Sequence, residues 1–524
     1  MNKNNQLIPL TQNNLIPKVT TTLSITNKLI IESNRTTVME IFERNPKLFI
    51  ALISSYHPLN QNLFDKYGDE LDLTNYQLIN NKNIIWTIEI IKKYETKWDW
   101  NQLSRSKNLP WSVELLEKFK NNWNWKSLGE NNTIPWSIEL IEKFKNKWDW
   151  DELSKNKFIP WCAKLIKKYK NKWDWYELSR NEKLPWSENL IEKYDGKWNW
   201  DYICMNEQLP WNEILIEKYQ YGFNWNNGEY YDQLEWYYLN KNKKIPWSIA
   251  FITKYEENVG KYWDELSGNE HLPWSIELIK FFKDKWVWGN PEEWYCPRSL
   301  SSNENIPWSI KLIETFKNKW CWQEISNNKS IPWSIELIEK FQNKLDFYYL
   351  SKNNNLPWSV ELIEKYAGKW NFYYLSKNNN LPWSVELFEK YVCKWNFYYL
   401  SENNNLPWSV ELIEKYAGKW DWGNLSENNN LPWSVALVEK YADKWDWGNL
   451  SENNNLPFSV ELIEKYENKW KWRCLSENDS IPWTLQLINK YADKLSCSET
   501  IWNTLQPYID DELIEEVFKK MEKK

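Results

Sequence analysis

Glycine, histidine, cysteine and arginine are all scarce in this 524-residue chain, and each scarcity removes a class of function. With 12 Gly there is no P-loop, no GxGxxG and no GxSxG elbow. The 2 histidines, His57 and His271, lie far apart, with no HExxH and no second His or CxxC beside either. No metal, no cofactor and no catalytic residue is therefore expected. The 7 cysteines (Cys162, Cys204, Cys296, Cys321, Cys393, Cys474 and Cys497) are odd in number, scattered and never spaced CxxC. That is no disulfide framework, and reduced cytosolic thiols are the ordinary reading. Arginine occurs only at Arg35, Arg44, Arg105, Arg180, Arg298 and Arg473, and 66 Lys+Arg against 72 Asp+Glu give a formal charge of -6. A nucleic-acid partner is not expected from such a balance. No run approaches the roughly 18 apolar residues of a spanning helix, and Met1–Leu10 has no apolar core behind a basic start. The expectation is a cytoplasmic chain without a membrane.

What the chain has is aromatic side chains: 42 Trp, 30 Tyr and 18 Phe. At 17% aromatic, 26% charged and a mean hydropathy of -0.77, it should fold, and fold in water. The tryptophans mark a period. A Leu/Ile-Pro-Trp tripeptide places its proline at Pro110, Pro135, Pro160, Pro185 and Pro210, then at Pro246, Pro273 and Pro307. It continues at Pro332, Pro357, Pro382, Pro407, Pro432, Pro457 and Pro482, and Ile85-Trp86 begins a degenerate copy. Most steps are 25 residues; those between Pro210 and Pro307 are longer. Repetition at this period means an array whose units bury their faces on one another.

The unit Leu431 to Asn455, LPWSVALVEKYADKWDWGNLSENNN, illustrates how. Proline suits the first turn of a helix, with Ser434 an alternative N-cap. Leu437, Val438, Tyr441 and Trp445 share one face of a helix of about twelve residues. Glu four residues before Lys, as in Glu114 and Lys118 or Glu411 and Lys415, predicts ion pairs on the exposed face. Asp446 would cap a shorter helix carrying Trp447 and Leu450 inward, and Asn453-Asn454-Asn455 forms the turn onward. The fold class expected is all-α: an α-solenoid of long-helix plus short-helix or 3₁₀ repeats, with helical caps. Residues 1–84 read as an N-terminal cap, 85–497 as about sixteen units with insertions at 219–301, and 498–524 as a C-terminal capping helix.

The segment WDWGNLSENNNLPWS, Trp420 to Ser434, resembles the tryptophan-rich WxWxxLSxNxxLPW repeats of giant DNA viruses and of some low-GC bacteria and phages. The resemblance covers residues 85–497 and implies an array, with a host cell or virion as its place if viral; it carries no activity with it. Unit length and helix plan are also similar to the leucine-rich repeat variant. Within the array, Leu345 and Leu495 replace the first Trp of WxW, Phe347, Phe372 and Phe397 the second, and Phe458 the Trp after proline. These apolar exchanges suit packing positions.

Three features compete as binding sites. Trp408, Trp420 and Trp422, and their equivalents, could stack bases or sugars, but their helical register with Leu and Ile makes core the ordinary reading. The asparagine runs could ladder along the array or serve simply as turns. The insertions are the sharpest candidate, because extra residues in a solenoid emerge on one face and Trp, Tyr and Arg anchor interfaces. They nominate Trp225, Tyr231, Trp236, Tyr237, Trp288, Trp294, Tyr295 and Arg298 as partner-binding; an altered core or a kink is the ordinary alternative. The function expected is a non-enzymatic intracellular scaffold for a protein partner. Single-stranded nucleic acid or glycan binding by exposed aromatics, and a structural spacer in an assembly, are the alternatives.

Overall fold

The computed structural model describes residues 32–224, 229–232, 234–290 and 298–522. It is an all-α repeat solenoid, interrupted by one antiparallel hairpin, β1 (Tyr221–Asn224) and β2 (Glu229–Asp232), in which Phe223 pairs with Tyr230. Each regular unit folds into two helices of similar length, rather than the long and short pair expected. In the unit Leu406 to Asn430 these are Val410–Lys415 and Trp422–Glu427. The Trp408 N–H donates to the Leu406 carbonyl at 2.7 Å, so Pro407 is the middle of an inverse γ-turn, for which its fixed φ is suited. Proline therefore precedes the helix, and Ser409 caps it, accepting from the Leu412 N–H at 3.1 Å. The helix ends at Tyr416, six residues on, where the chain turns so that the Lys419 N–H donates to the Tyr416 carbonyl at 2.8 Å. The apolar face running from the helix to Trp420 is thus half helix and half turn. Asp421 then caps the second helix through the Asn424 N–H, as Asp446 does in the next copy.

Four contacts join one unit to the next. The first is aromatic: buried Trp420 packs between Trp408 of its own unit, ring centres 5.0 Å apart, and Phe397 of the preceding unit at 4.8 Å. Its indole N–H donates to the Ile413 carbonyl at 3.2 Å. Burying an indole contributes about 4–6 kcal/mol before entropy is counted. The second is serine: fully buried Ser401 donates to the Phe397 carbonyl at 2.7 Å and accepts the Asp421 N–H of the next unit at 3.0 Å. Third, the first asparagine of each run is buried. The Asn428 carboxamide accepts the Asn430 N–H at 2.9 Å and donates back one unit to the Ser401 and Asn403 carbonyls at 3.0 and 3.3 Å. The asparagines both turn the chain and ladder along the array. Fourth, lysines pair across units. Lys415 meets Glu389 of the preceding first helix at 2.7 Å, as Lys390 meets Glu364 and Lys340 meets Glu314. The expected Glu411–Lys415 pair is not made; Glu411 instead turns to the helix start, where its own N–H and Ser409 hold its carboxyl below the usual range.

Contacts divide the chain into two compact units, Trp111–Pro432 and a second built from both chain ends, up to Pro110 and from Trp433 on. In the second, Phe518 of the C-terminal helix Asp511–Met521 stacks on Tyr67 at 4.5 Å and meets Phe49 edge-on at 5.0 Å. Arg44 pairs with Asp493 and Lys520 with Glu43. The two regions read as caps from the sequence are therefore packed together. Residues 59–83 also fold as a further copy of the repeat: Asn60 caps Gln61–Tyr67, and Asn81 takes the ladder position, donating to the Ser54 and His57 carbonyls at 2.9 Å. Leu71 stands there where tryptophan would, so the copy carries no tryptophan to mark it.

Candidate functional site: the row of second helices

Within Trp111–Pro432, second helices of successive units lie side by side, as 125–130 on 150–155, 150–155 on 175–180 and 397–402 on 422–427. Two nearly identical units isolate what varies there. Residues 356–370 and 406–420 are the same fifteen-residue string, LPWSVELIEKYAGKW. All five differences between these units fall in the ten residues that follow. Asn371 and Phe372 become Asp421 and Trp422, a cap for a cap and a buried ring for a half-buried one. The other three change chemistry and lie on the outer side: Tyr373 becomes Gly423, Tyr374 becomes Asn424 and Lys377 becomes Glu427.

These outer positions follow a geometric rule. The first residue after the second-helix aromatic reaches the second such residue of the next unit. Tyr348 bonds Tyr374 hydroxyl to hydroxyl at 2.7 Å, Tyr373 bonds Tyr399 at 2.6 Å and Tyr176 bonds Tyr202 at 2.5 Å. The same step pairs Lys126 with Glu152 at 3.6 Å. The residue after the Leu-Ser pair then reaches the same target. The Lys352 ammonium lies 4.2 Å from the Tyr348 ring centre and 4.3 Å from that of Tyr374, and Lys377 lies 3.7 Å from Tyr399. In the following unit Asn424 donates to the Glu402 carboxylate at 3.1 Å. In each of the two tyrosine pairs from Tyr348 to Tyr399, one phenol donates and the other accepts. Hydrogen bonding to Tyr348 pushes the Tyr374 hydroxyl up to about 12, and Tyr373 is raised likewise through Tyr399. Tyr348 and Tyr399 are lowered, first by the pairing and then by Lys352 and Lys377. At residues 155–206 the same positions line a groove of about 590 Å³ with Lys155, Lys157, Arg180, Tyr202 and Met205.

The structure redistributes the residues nominated from the insertions. Trp236 and Trp288 are core, 3% and 9% exposed: Trp236 packs on Tyr255 and Trp288 on Trp320. They hold the second-helix aromatic position of their units, and the extra residues beside them hid that register. As surface anchors they are withdrawn. Tyr237 and Arg298 do come together. The Arg298 guanidinium lies 5.9 Å from the Tyr237 ring centre, Lys241 lies on the same ring at 3.7 Å, and both cations pair with buried Glu265. Tyr231 lies in β2 opposite Gly222, while Trp225, Trp294 and Tyr295 fall outside the described residues. No described tryptophan is exposed; Trp420 is buried, and Trp408 and Trp422 are half-buried with their indole N–H groups bonded. Exposed aromatics include Tyr176, Tyr373 and Tyr398, all three on second helices.

His271 lies exposed in a turn. His57 is buried against the edge of Trp502, 3.2 Å from Asp511. Burial pushes its imidazole below the usual value, opposed by the Asp511 hydrogen bond. Among the described residues no helix is long and apolar enough to cross a membrane. Comparison with family models, curated proteins and solved structures finds no match to the chain.

Proposed function

We propose that the chain is a non-enzymatic scaffold that binds a protein partner along its row of second helices. Each unit contributes the two residues after its second-helix aromatic and the residue after Leu-Ser. The observation that carries this is the placement of variation: fifteen residues repeat letter for letter between 356–370 and 406–420, while the outer second-helix positions change from Tyr, Tyr and Lys to Gly, Asn and Glu. Residues that set the spacing of a solenoid must recur, whereas those that meet a partner are free to differ from unit to unit. Exposed tyrosines supply rigid contact area there at low entropic cost. Among the described tryptophans none is exposed, which disfavours a base or sugar reader that stacks its ligand on indoles.

A photo-crosslinking residue tests this reading, placed at Tyr373 or Gly423 on the second row and at Glu361 or Val385 on the first. The expected result is a defined adduct with one partner from the second row only. Equal labelling from both rows, or labelling from the first alone, refutes it.

A further inference from the structure

We propose that the tyrosine and lysine units from Tyr348 to Tyr399 form a docking site for an extended acidic peptide segment, with carboxylates three residues apart on Lys352 and Lys377. This rests on the scaffold reading and names the partner's chemistry at one stretch of the row.

Charge decides the sign of the ligand. On the first helices of this stretch each lysine is neutralised by the preceding unit: Lys340 by Glu314, Lys365 by Glu339, Lys390 by Glu364. On the second row, Lys352 and Lys377 have no carboxylate partner among the described residues; their ammonium groups rest on tyrosine rings. An ammonium has three N–H donors; Lys377 is exposed on the Tyr399 ring, and Lys352 is half-exposed between the Tyr348 and Tyr374 rings. The phenols add donors. In each bonded pair one hydroxyl gives its hydrogen to the other, and the second keeps its own for an outside acceptor. Unneutralised ammonium groups beside hydroxyl donors form a surface complementary to carboxylates.

Spacing decides the form. Packed helices repeat at roughly 8–10 Å, and a chain extended as polyproline II covers about 9 Å in its three-residue turn and returns every third side chain to one face. Acidic residues at every third position of an extended segment would therefore meet successive lysines. The site is also short: Glu402 and Glu427 occupy the lysine position in the next two units. An anionic polymer following the row would run from attraction into repulsion, which favours a short peptide over a nucleic-acid strand.

The test uses the intact chain and a fluorescent proline-rich peptide of about twelve residues carrying Asp at every third position, read by anisotropy at low and moderate salt. The account predicts saturable binding that weakens with salt and falls by about tenfold or more in K352E/K377E. The milder K352Q/K377Q should fall in the same direction, and K340E/K365E, on the other row, should bind as the parent does. Circular dichroism confirms that each variant folds. Absence of binding, or binding that survives both second-row variants, overturns the proposal. So does preferential binding of oligothymidylate through the same lysines. Failure of the peptide while a partner still crosslinks at Tyr373 removes the acidic segment alone; loss of crosslinking along the whole second row removes the scaffold reading as well.

Discussion

First and second helices of the array carry different loads, and residues 356–430 let the two be compared unit against unit. The first-helix row recurs as VELIEK or VELFEK and closes its own charges: Lys390 on Glu364, Lys415 on Glu389. The second-helix row keeps only what faces inward, the aromatic, Leu, Ser and ladder Asn, and changes what faces outward. Electrostatics differ accordingly, neutralised on one row and left open at Lys352 and Lys377 on the other. Constancy marks the parts that hold a solenoid together, and variation within one chain marks the parts released from that duty.

The comparison breaks first if inward positions prove dispensable. Trp420→Ala should cost about 3–5 kcal/mol in urea unfolding, since a large buried ring leaves a cavity; Trp420→Leu should cost less, because Leu345 and Leu495 hold that position elsewhere in the chain. Asn428→Ala should cost about 1–3 kcal/mol, taking that donor from the Ser401 carbonyl, leaving the Asn403 carbonyl to the Trp408 indole N–H alone and freeing the turn at Asn430. Ser401→Ala strands the Asp421 N–H and should cost about 1–2 kcal/mol by the same measure, with faster hydrogen exchange at Asp421. Outward changes should do far less. Lys415→Ala should leave the unfolding midpoint unchanged, its ion pair with Glu389 being open to solvent. If it costs as much as Ser401→Ala, the first row is not the passive support described here.

Much of this was legible in the sequence. The period, the second-helix caps at Asp421 and Asp446, and the inward tryptophans follow from spacing and from the chemistry of Asp and Trp. Helix length did not follow, because Leu437, Tyr441 and Trp445 keep a helical spacing through what is a turn after Tyr441. Proline could belong to a first turn or to a γ-turn, and only the Trp408 N–H on the Leu406 carbonyl distinguishes them. Lysine partners were misassigned because Glu411 to Lys415 is a favourable local spacing, while Glu389 is 26 residues away and adjacent only once units stack. The insertions drew the candidate site toward Trp236 and Trp288. Yet the unit-by-unit differences at Tyr373, Tyr374 and Lys377 were readable by laying one copy on another, and are the signal that finds the second row.

The most direct test exchanges the outward residues without touching the scaffold. Tyr373→Gly, Tyr374→Asn and Lys377→Glu, made together, give residues 356–380 the outward set already found at 406–430. The account predicts an unchanged unfolding midpoint and loss of the partner adduct from a crosslinker at Tyr398. An unchanged adduct, or a midpoint lowered as far as Asn428→Ala lowers it, would contradict the division of labour between the two rows.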